Sequence, residues 1–112
     1  MSKVKRKLTT ILATDCVGFS KRMDENEELT LENLKACRSI IDPQIKEFGG
    51  RIFYTAGDSV IAEFESPVEC VNAAIGFQKS INDRNDTISQ DSRLDWRVGI
   101  HLDDVIIEGD NV

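Results

Sequence analysis

The chain has 112 residues, 40% of them hydrophobic, enough for one compact domain with a modest core and too little for two. Fourteen basic against twenty acidic side chains give a formal net charge of -6, which disfavours nucleic-acid binding through a broad basic face. Cys16, Cys37 and Cys70 show no CxxC spacing and His101 is the one histidine, so a thiolate zinc site and a disulfide framework are disfavoured and a reducing, cytosolic setting is suggested.

Lys3, Lys5, Arg6 and Lys7 open the chain as a short basic cluster, read as a solvated start. Leu8 to Asp15 reads as a strand, with Leu8 and Leu12 on one face, Ile11 on the other and threonines favouring extended backbone. Gly18 turns the chain closely after it, and Ser20 is placed to cap a helix. Asp24, Glu25, Glu27 and Glu28 suit the positive end of a helix that Thr30 begins or continues. Leu34, Cys37, Ile41, Ile45 and Phe48 then recur at spacings of three and four and make one helical stripe, closed by Gly49-Gly50. Pro43 falls inside it, which predicts a kink or two helices end to end.

Arg51 to Thr55 and Ser59 to Phe64 read as an antiparallel hairpin around Ala56-Gly57-Asp58. Ser66-Pro67-Val68-Glu69 supplies a capping serine, proline at the first helical position and glutamate to complete a capping box. The helix it starts is read with Val68, Val71, Ile75, Gln78 and Ile81 on one side and Ala74 adjacent, fading by Asn82 to Asn85. Asp86 to Arg93 is polar and reads as a surface loop. Leu94, Trp96, Val98, Ile100 and Leu102 alternate with polar residues or glycine, a strand with one buried face. Asp103-Asp104 is read as a turn into a last strand, Val105 to Glu108. The order implies an α+β layer with helices on one face of a mostly antiparallel sheet.

Two features carry chemistry. Asp15 ends an apolar strand before a small, tight loop, and Asp58 sits on a Gly-containing corner between two other strands. Two carboxylates brought together supply hard oxygen ligands for a divalent cation, and unpaired N–H groups at a loop or helix start cradle phosphates. Asp103, Asp104, Glu108 and Asp110 are assigned to a turn and a surface strand and left out of the site.

ILATDCVGFS, FGGRIFYTAGDSVIAEF and WRVGIHLDDVIIEGDNV, in that order, resemble the class III adenylyl/guanylyl cyclase catalytic domain in its bacterial forms, from about Arg6 to Val112. The resemblance implies a ferredoxin-like, palm-type fold, with residues 1–112 one partial domain truncated at its C-terminus. It implies that Asp15 and Asp58 are catalytic and hold two Mg2+ or Mn2+ ions, with the Cys16 carbonyl as a further ligand. It implies that Val17, Gly18 and Phe19 hold the triphosphate through their amides, and that Tyr54 stands at the base-reading position. The activity implied is conversion of ATP to cyclic AMP and pyrophosphate, in a head-to-tail homodimer with interfacial sites, on a longer signalling protein with regulatory domains.

Arg97 matches a position that is often basic in these domains, a candidate for phosphate or interface contact. Adenylyl cyclases usually carry lysine where this chain has Tyr54, which brings no positive charge. That departure leaves ATP against GTP open. The chain also stops before the segment expected to carry the transition-state Asn and Arg, so residues 1–112 are expected to show no turnover alone. The rival readings are a degenerate cyclase-like dimerisation or nucleotide-sensing module, and a phosphoacceptor receiver domain, which the Ile52–Phe64 strand pairing opposes. No hydrophobic run approaches a membrane span and the start does not look like a signal peptide. The expected location is cytoplasmic, with any membrane anchor on the parent chain.

Overall fold

The computed structural model describes the backbone of residues 5–107 and the side chains of residues 7–104. The expectations for Lys3, for the side chains of Lys5 and Arg6, and for Glu108 and Asp110 lie outside the described residues. Elements follow in the order β1 (Lys5–Cys16), α1 (Phe19–Glu25), α2 (Glu27–Glu47), β2 (Arg51–Ala56), β3 (Ser59–Phe64), α3 (Pro67–Asp86), a 3-10 turn at Gln90–Ser92 and β4 (Trp96–Ile107). The strands form one sheet in the order β2-β3-β1-β4, every neighbouring pair antiparallel. This is the β-α-β-β-α-β pattern of a ferredoxin-like fold, as the sequence implies.

Along the strands, side chains alternate between two faces. Leu12, Cys16, Val60, Ala62, Phe64 and Trp96 share one face and pack against Cys37, Ile41 and Ile45 of α2 and Cys70, Ala73, Phe77 and Ile81 of α3. Ala13, Asp15, Ile61, Arg97 and Gly99 occupy the opposite face.

Pro43 neither breaks nor divides α2, which runs without interruption from Glu27 to Glu47. A proline inside a helix costs about 3 kcal/mol. Here it lies on the exposed side, while Ile41 and Ile45 are fully buried before and after it. Burial of that stripe outweighs the lost backbone bond. The break falls earlier, at Asn26, which is extended and whose side chain accepts the Leu29 N–H at 3.1 Å. Glu27 and Glu28 therefore sit in the first turn of α2 as expected, whereas Asp24 and Glu25 end α1. Ser20 caps nothing: Gly18, at φ 65°, stands at the N-cap of α1.

Three further readings are corrected. In α3 the buried apolar positions are Cys70, Ala73, Ala74, Phe77 and Ile81, while Val68, Val71 and Ile75 are exposed. The stripe is rotated from the expected one because two alanines and a cysteine permit close packing on α2 and the sheet. The Ser66 hydroxyl accepts the Glu69 N–H at 3.2 Å, but the Glu69 carboxylate accepts from Asn72 instead of completing the box. Lastly, Asp103-Asp104 is no turn. Strand β4 continues through both to Ile107, because β1 begins at Lys5 and offers partners from Cys16↔Trp96 to Lys5↔Ile107. Burial fades along this edge strand: Trp96 is buried, Val98 half-buried, Ile100 and Leu102 exposed.

Two glycines mark close approaches. A Cβ on Gly50 would stand 2.5 Å and 2.6 Å from ring carbons of buried Phe64 and 2.7 Å from Ile45 Cγ2. A Cβ on Gly76 would press on the Gln44 side-chain oxygen, the far end of a flexible side chain, and make ordinary contact with Gln44 Cδ at 3.6 Å and a Phe48 ring carbon at 3.9 Å. Chemical denaturation is expected to show Gly50→Ala destabilised by about 1–3 kcal/mol through overpacking. Gly76→Ala should cost less than Gly50→Ala, because the Gln44 side chain can shift at the expense of its bond to the Ser80 hydroxyl.

Candidate functional site

The site assembles at the end of the sheet where β1 runs into the Val17-Gly18 turn. In the β1–β3 register Thr14 lies opposite Val60, so Asp58 falls opposite Cys16, two places on. Strand β3 has already ended there, in the two-residue turn that Gly57 allows at φ 56°. The Asp58 carboxylate takes the place of a ladder carbonyl, its Oδ2 accepting the Cys16 N–H at 2.8 Å. This draws Asp58 against the backbone of Cys16, the residue next to Asp15, at the same end of the sheet.

Asp15 points to the open face, where β4 places Arg97 directly opposite. Arg97 Nε donates to Asp15 Oδ1 at 2.8 Å. The partnership with Asp15, a hydrogen bond above all, holds the guanidinium's pKa above its ordinary value. Each carboxylate is thus tethered by one oxygen, and among the described residues no bond is made by Asp15 Oδ2 or Asp58 Oδ1. Asp15, Ser59, Ile61, Arg97, Gly99 and Ala13 line a concavity of about 300 Å³ on the open face.

Tyr54 pairs with Ile61, which pairs with Ala13, which pairs with Gly99. The tyrosine is 53% exposed and lies two strands and one row from Asp15, roughly 12 Å between Cα atoms from ideal sheet spacings. Of the three expected phosphate-binding amides, Val17's is committed: it donates to the Asp95 carbonyl at 2.8 Å. Extension of the β1–β4 pairing past Cys16 captures it. Gly18 and Phe19 open α1, and among the described residues nothing accepts from their N–H groups, as the start of a helix requires.

The Cys16 thiol belongs to the core between the sheet and the helices. It is buried, and its pKa is raised to about 12, first by burial and then by the nearby Asp58 charge. Burial also raises Cys70 to about 11 and pushes Cys37 upward. All three thiols are free and buried, which makes them inert near neutral pH.

The remaining donors are two carboxylates, the donor type that a divalent cation takes. Among the described residues no group of three or more His, Cys, Asp or Glu side chains is placed to hold a metal, which removes a closed protein cage. Mg2+ is ordinarily held by one or two carboxylates with substrate phosphates completing its shell. Asp15 and Asp58 each keep one carboxylate oxygen without a bond among the described residues. Sequence reasoning located both aspartates and Tyr54 but gave no weight to the Arg97 bond, nor to Ser59 and Gly99 as lining. Strict alternation around Trp96 puts residues 95, 97 and 99 on one face, and the β1–β4 register supplies the rest.

Among the described residues no helix is long and apolar enough to cross a membrane. No family model matches the chain. It is 34% identical over 106 residues to "Putative adenylate cyclase 3" of Rhizobium meliloti, covering 94% of this chain and 18% of that protein. It is 30% identical over 112 residues to the serine/threonine-protein kinase pkn2 of Myxococcus xanthus, covering 99% of this chain and 14% of that protein. The chain therefore spans less than a fifth of these curated relatives. The solved adenylate/guanylate cyclase/hydrolase from Silicibacter pomeroyi matches at TM-score 0.84 and 33% identity, over 95% of this chain and 62% of that one. The guanylyl cyclase Cya2, at TM-score 0.82 and 21% identity over 96% of this chain and 59% of that one, shares the fold. In sequence and in fold, this chain is similar to the class III adenylyl/guanylyl cyclase catalytic domain, of which it spans a part.

Proposed function

We propose that this chain is the metal- and nucleotide-binding part of a nucleotidyl cyclase domain that converts ATP to cyclic AMP and pyrophosphate. The observation that supports the reading is the bond from the Cys16 N–H to Asp58, which sets Asp58 beside the residue that follows Asp15, with one oxygen of each carboxylate unbonded among the described residues. Two Mg2+ or Mn2+ ions, when bound, would supply Lewis-acid activation of a hydroxyl and neutralisation of phosphate charge. Asp15 and Asp58 would hold them, with the Cys16 backbone carbonyl beside the pair. The amides of Gly18 and Phe19 would receive phosphate oxygens, while Val17 serves to fix the turn through Asp95.

Tyr54 would meet the base at the far side of the open face, a span that a nucleoside triphosphate covers. Its phenol can donate or accept one hydrogen bond. The open face would be shared with a second copy of the chain, so that each site is completed across a homodimer. The kinase name of the M. xanthus relative and the short share of it matched support a module within longer signalling proteins, placed on the cytoplasmic side.

Calorimetric titration with non-hydrolysable ATP and GTP analogues tests this. The expected result is binding that requires Mg2+ or Mn2+, tighter for the ATP analogue. Absence of metal-dependent binding with either nucleotide contradicts the reading. Metal-dependent binding with no preference between them moves the assignment toward the nucleotide-sensing alternative, which the uncharged Tyr54 favours.

A further inference from the structure

We propose that Asn85 is a positioning residue for the phosphate-binding turn. It holds the Leu94–Asp95 segment so that the Asp95 carbonyl keeps the Val17 N–H, which orients the Gly18 and Phe19 amides. The inference rests on the nucleotide reading above and adds to it a residue from the far end of α3.

Asn85 follows Phe77 and Ile81 at steps of four on the buried face of α3, where the spacing calls for an apolar side chain. It is polar there, and only 7% exposed. Its Nδ2 donates to the Leu94 carbonyl at 3.1 Å and to Asp95 Oδ1 at 3.4 Å. Both partners are acceptors, which fixes the way the amide points. Its own oxygen is buried and, among the described residues, accepts no bond. A buried amide with an idle oxygen weakens the fold, so stability alone gives an apolar residue the advantage here.

The donor leads toward the site. Gln78, also on α3, donates to the Trp96 carbonyl at 2.7 Å. The carbonyls before and after that of Asp95 are thereby tied to one helix. Peptide units are planar, so the Asp95 carbonyl between them is constrained from both sides. That carbonyl accepts the Val17 N–H at 2.8 Å, beyond the last β1–β4 pair, Cys16↔Trp96. The same connection grips the helix after the turn: Arg22 of α1 donates to the Gln90 and Asp91 carbonyls at 3.5 Å and 3.2 Å. Gly18 and Phe19 lie between these two attachments, and among the described residues nothing accepts from their N–H groups. The turn thus takes its orientation from α3 as well as from the sheet.

Exchange of backbone amides followed by nuclear magnetic resonance reads the turn itself, and calorimetric titration reads what it binds. The probes are Mn2+ alone and Mn2+ with inorganic tripolyphosphate. Asn85→Leu fills the space without a donor, Asn85→Ala leaves it empty, and Ile81→Val loosens α3 with the donor intact. In both Asn85 variants the Val17 amide should exchange about tenfold faster relative to the Ile41 amide within α2. Both should bind Mn2+-tripolyphosphate about three- to tenfold more weakly, through lost preorganisation. Mn2+ alone should bind them as it binds the unaltered chain, because neither Asp15 nor Asp58 bonds to the connection. Ile81→Val should speed Val17 and Ile41 exchange together and leave tripolyphosphate binding in place.

An unchanged Val17-to-Ile41 ratio in the Asn85 variants overturns the proposal, and so does the same change of ratio in Ile81→Val. Failure of both Asn85 variants to fold would make the residue a support of the core and overturn it too. So would an equal loss of Mn2+ and tripolyphosphate binding. Full tripolyphosphate binding alongside a freed Val17 amide removes the role while the nucleotide reading stands. If the unaltered chain binds no Mn2+-tripolyphosphate, that reading fails and the Asn85 role falls with it.

Discussion

Replacing Asp58 with alanine is expected to lower the free energy of unfolding by about 1–3 kcal/mol, the usual cost of stranding a buried hydrogen-bond donor. Asp58 Oδ2 is the acceptor for the N–H of Cys16, a residue that is almost fully buried. No strand extends far enough to replace it, because β3 begins at Ser59. Asp58→Asn should keep most of that stability, since the amide oxygen can accept the same bond. Asp15→Asn should leave the unfolding midpoint in place, because its partner Arg97 is exposed and such pairs stabilise little. Urea denaturation followed by circular dichroism separates the three variants. Equal midpoints for Asp58→Ala and the unaltered chain would contradict the ladder role given to this carboxylate. The contrast matters for function: both aspartates can be altered conservatively without losing the fold, so their binding defects can be read directly.

The largest loss of stability is expected from Phe77→Ala, about 3–5 kcal/mol from lost burial and the cavity left behind. Phe77 is fully buried on α3 within the cluster that joins α2 to the sheet. Ile75→Ala, two residues away, should change stability by no more than about 0.5 kcal/mol, because Ile75 is 62% exposed. Equilibrium unfolding of the two variants decides between the faces of α3. Comparable losses in both would mean that the helix is turned toward the face read from its larger aliphatic residues.

That pair also shows where sequence reasoning ends. Hydrophobic spacing in α2 is legible because Cys37, Ile41 and Ile45 occupy a single stripe with charges behind it. In α3 apolar residues lie on two faces, and the choice between Val68-Val71-Ile75 and Cys70-Ala73-Phe77 is made by packing volume, which local spacing does not record. Pro43 carries the same lesson. Local propensity allows two helices end to end there, and burial on either side of it keeps α2 a single helix.

The length of β4 could not be read either. Asp103-Asp104 looks like a turn alone, but strand length is set by the partner, and β1 is long enough to pair with both residues. At the site, the aspartates were legible from strand ends and glycine corners. The bond from the Cys16 N–H to Asp58, the capture of the Val17 amide and the placing of Arg97 over Asp15 depend on register, a long-range property.

Counting bound Mn2+ by electron paramagnetic resonance in the unaltered chain, Asp15→Asn and Asp58→Asn tests the shared cradle most directly. Both substitutions keep shape and a hydrogen-bonding oxygen, so the readout follows the carboxylate charge. The unaltered chain should bind Mn2+ saturably, and each variant alone should weaken that binding by about tenfold or more. Binding that is unaffected by either substitution, or lost in only one of them, would contradict a cation held between Asp15 and Asp58.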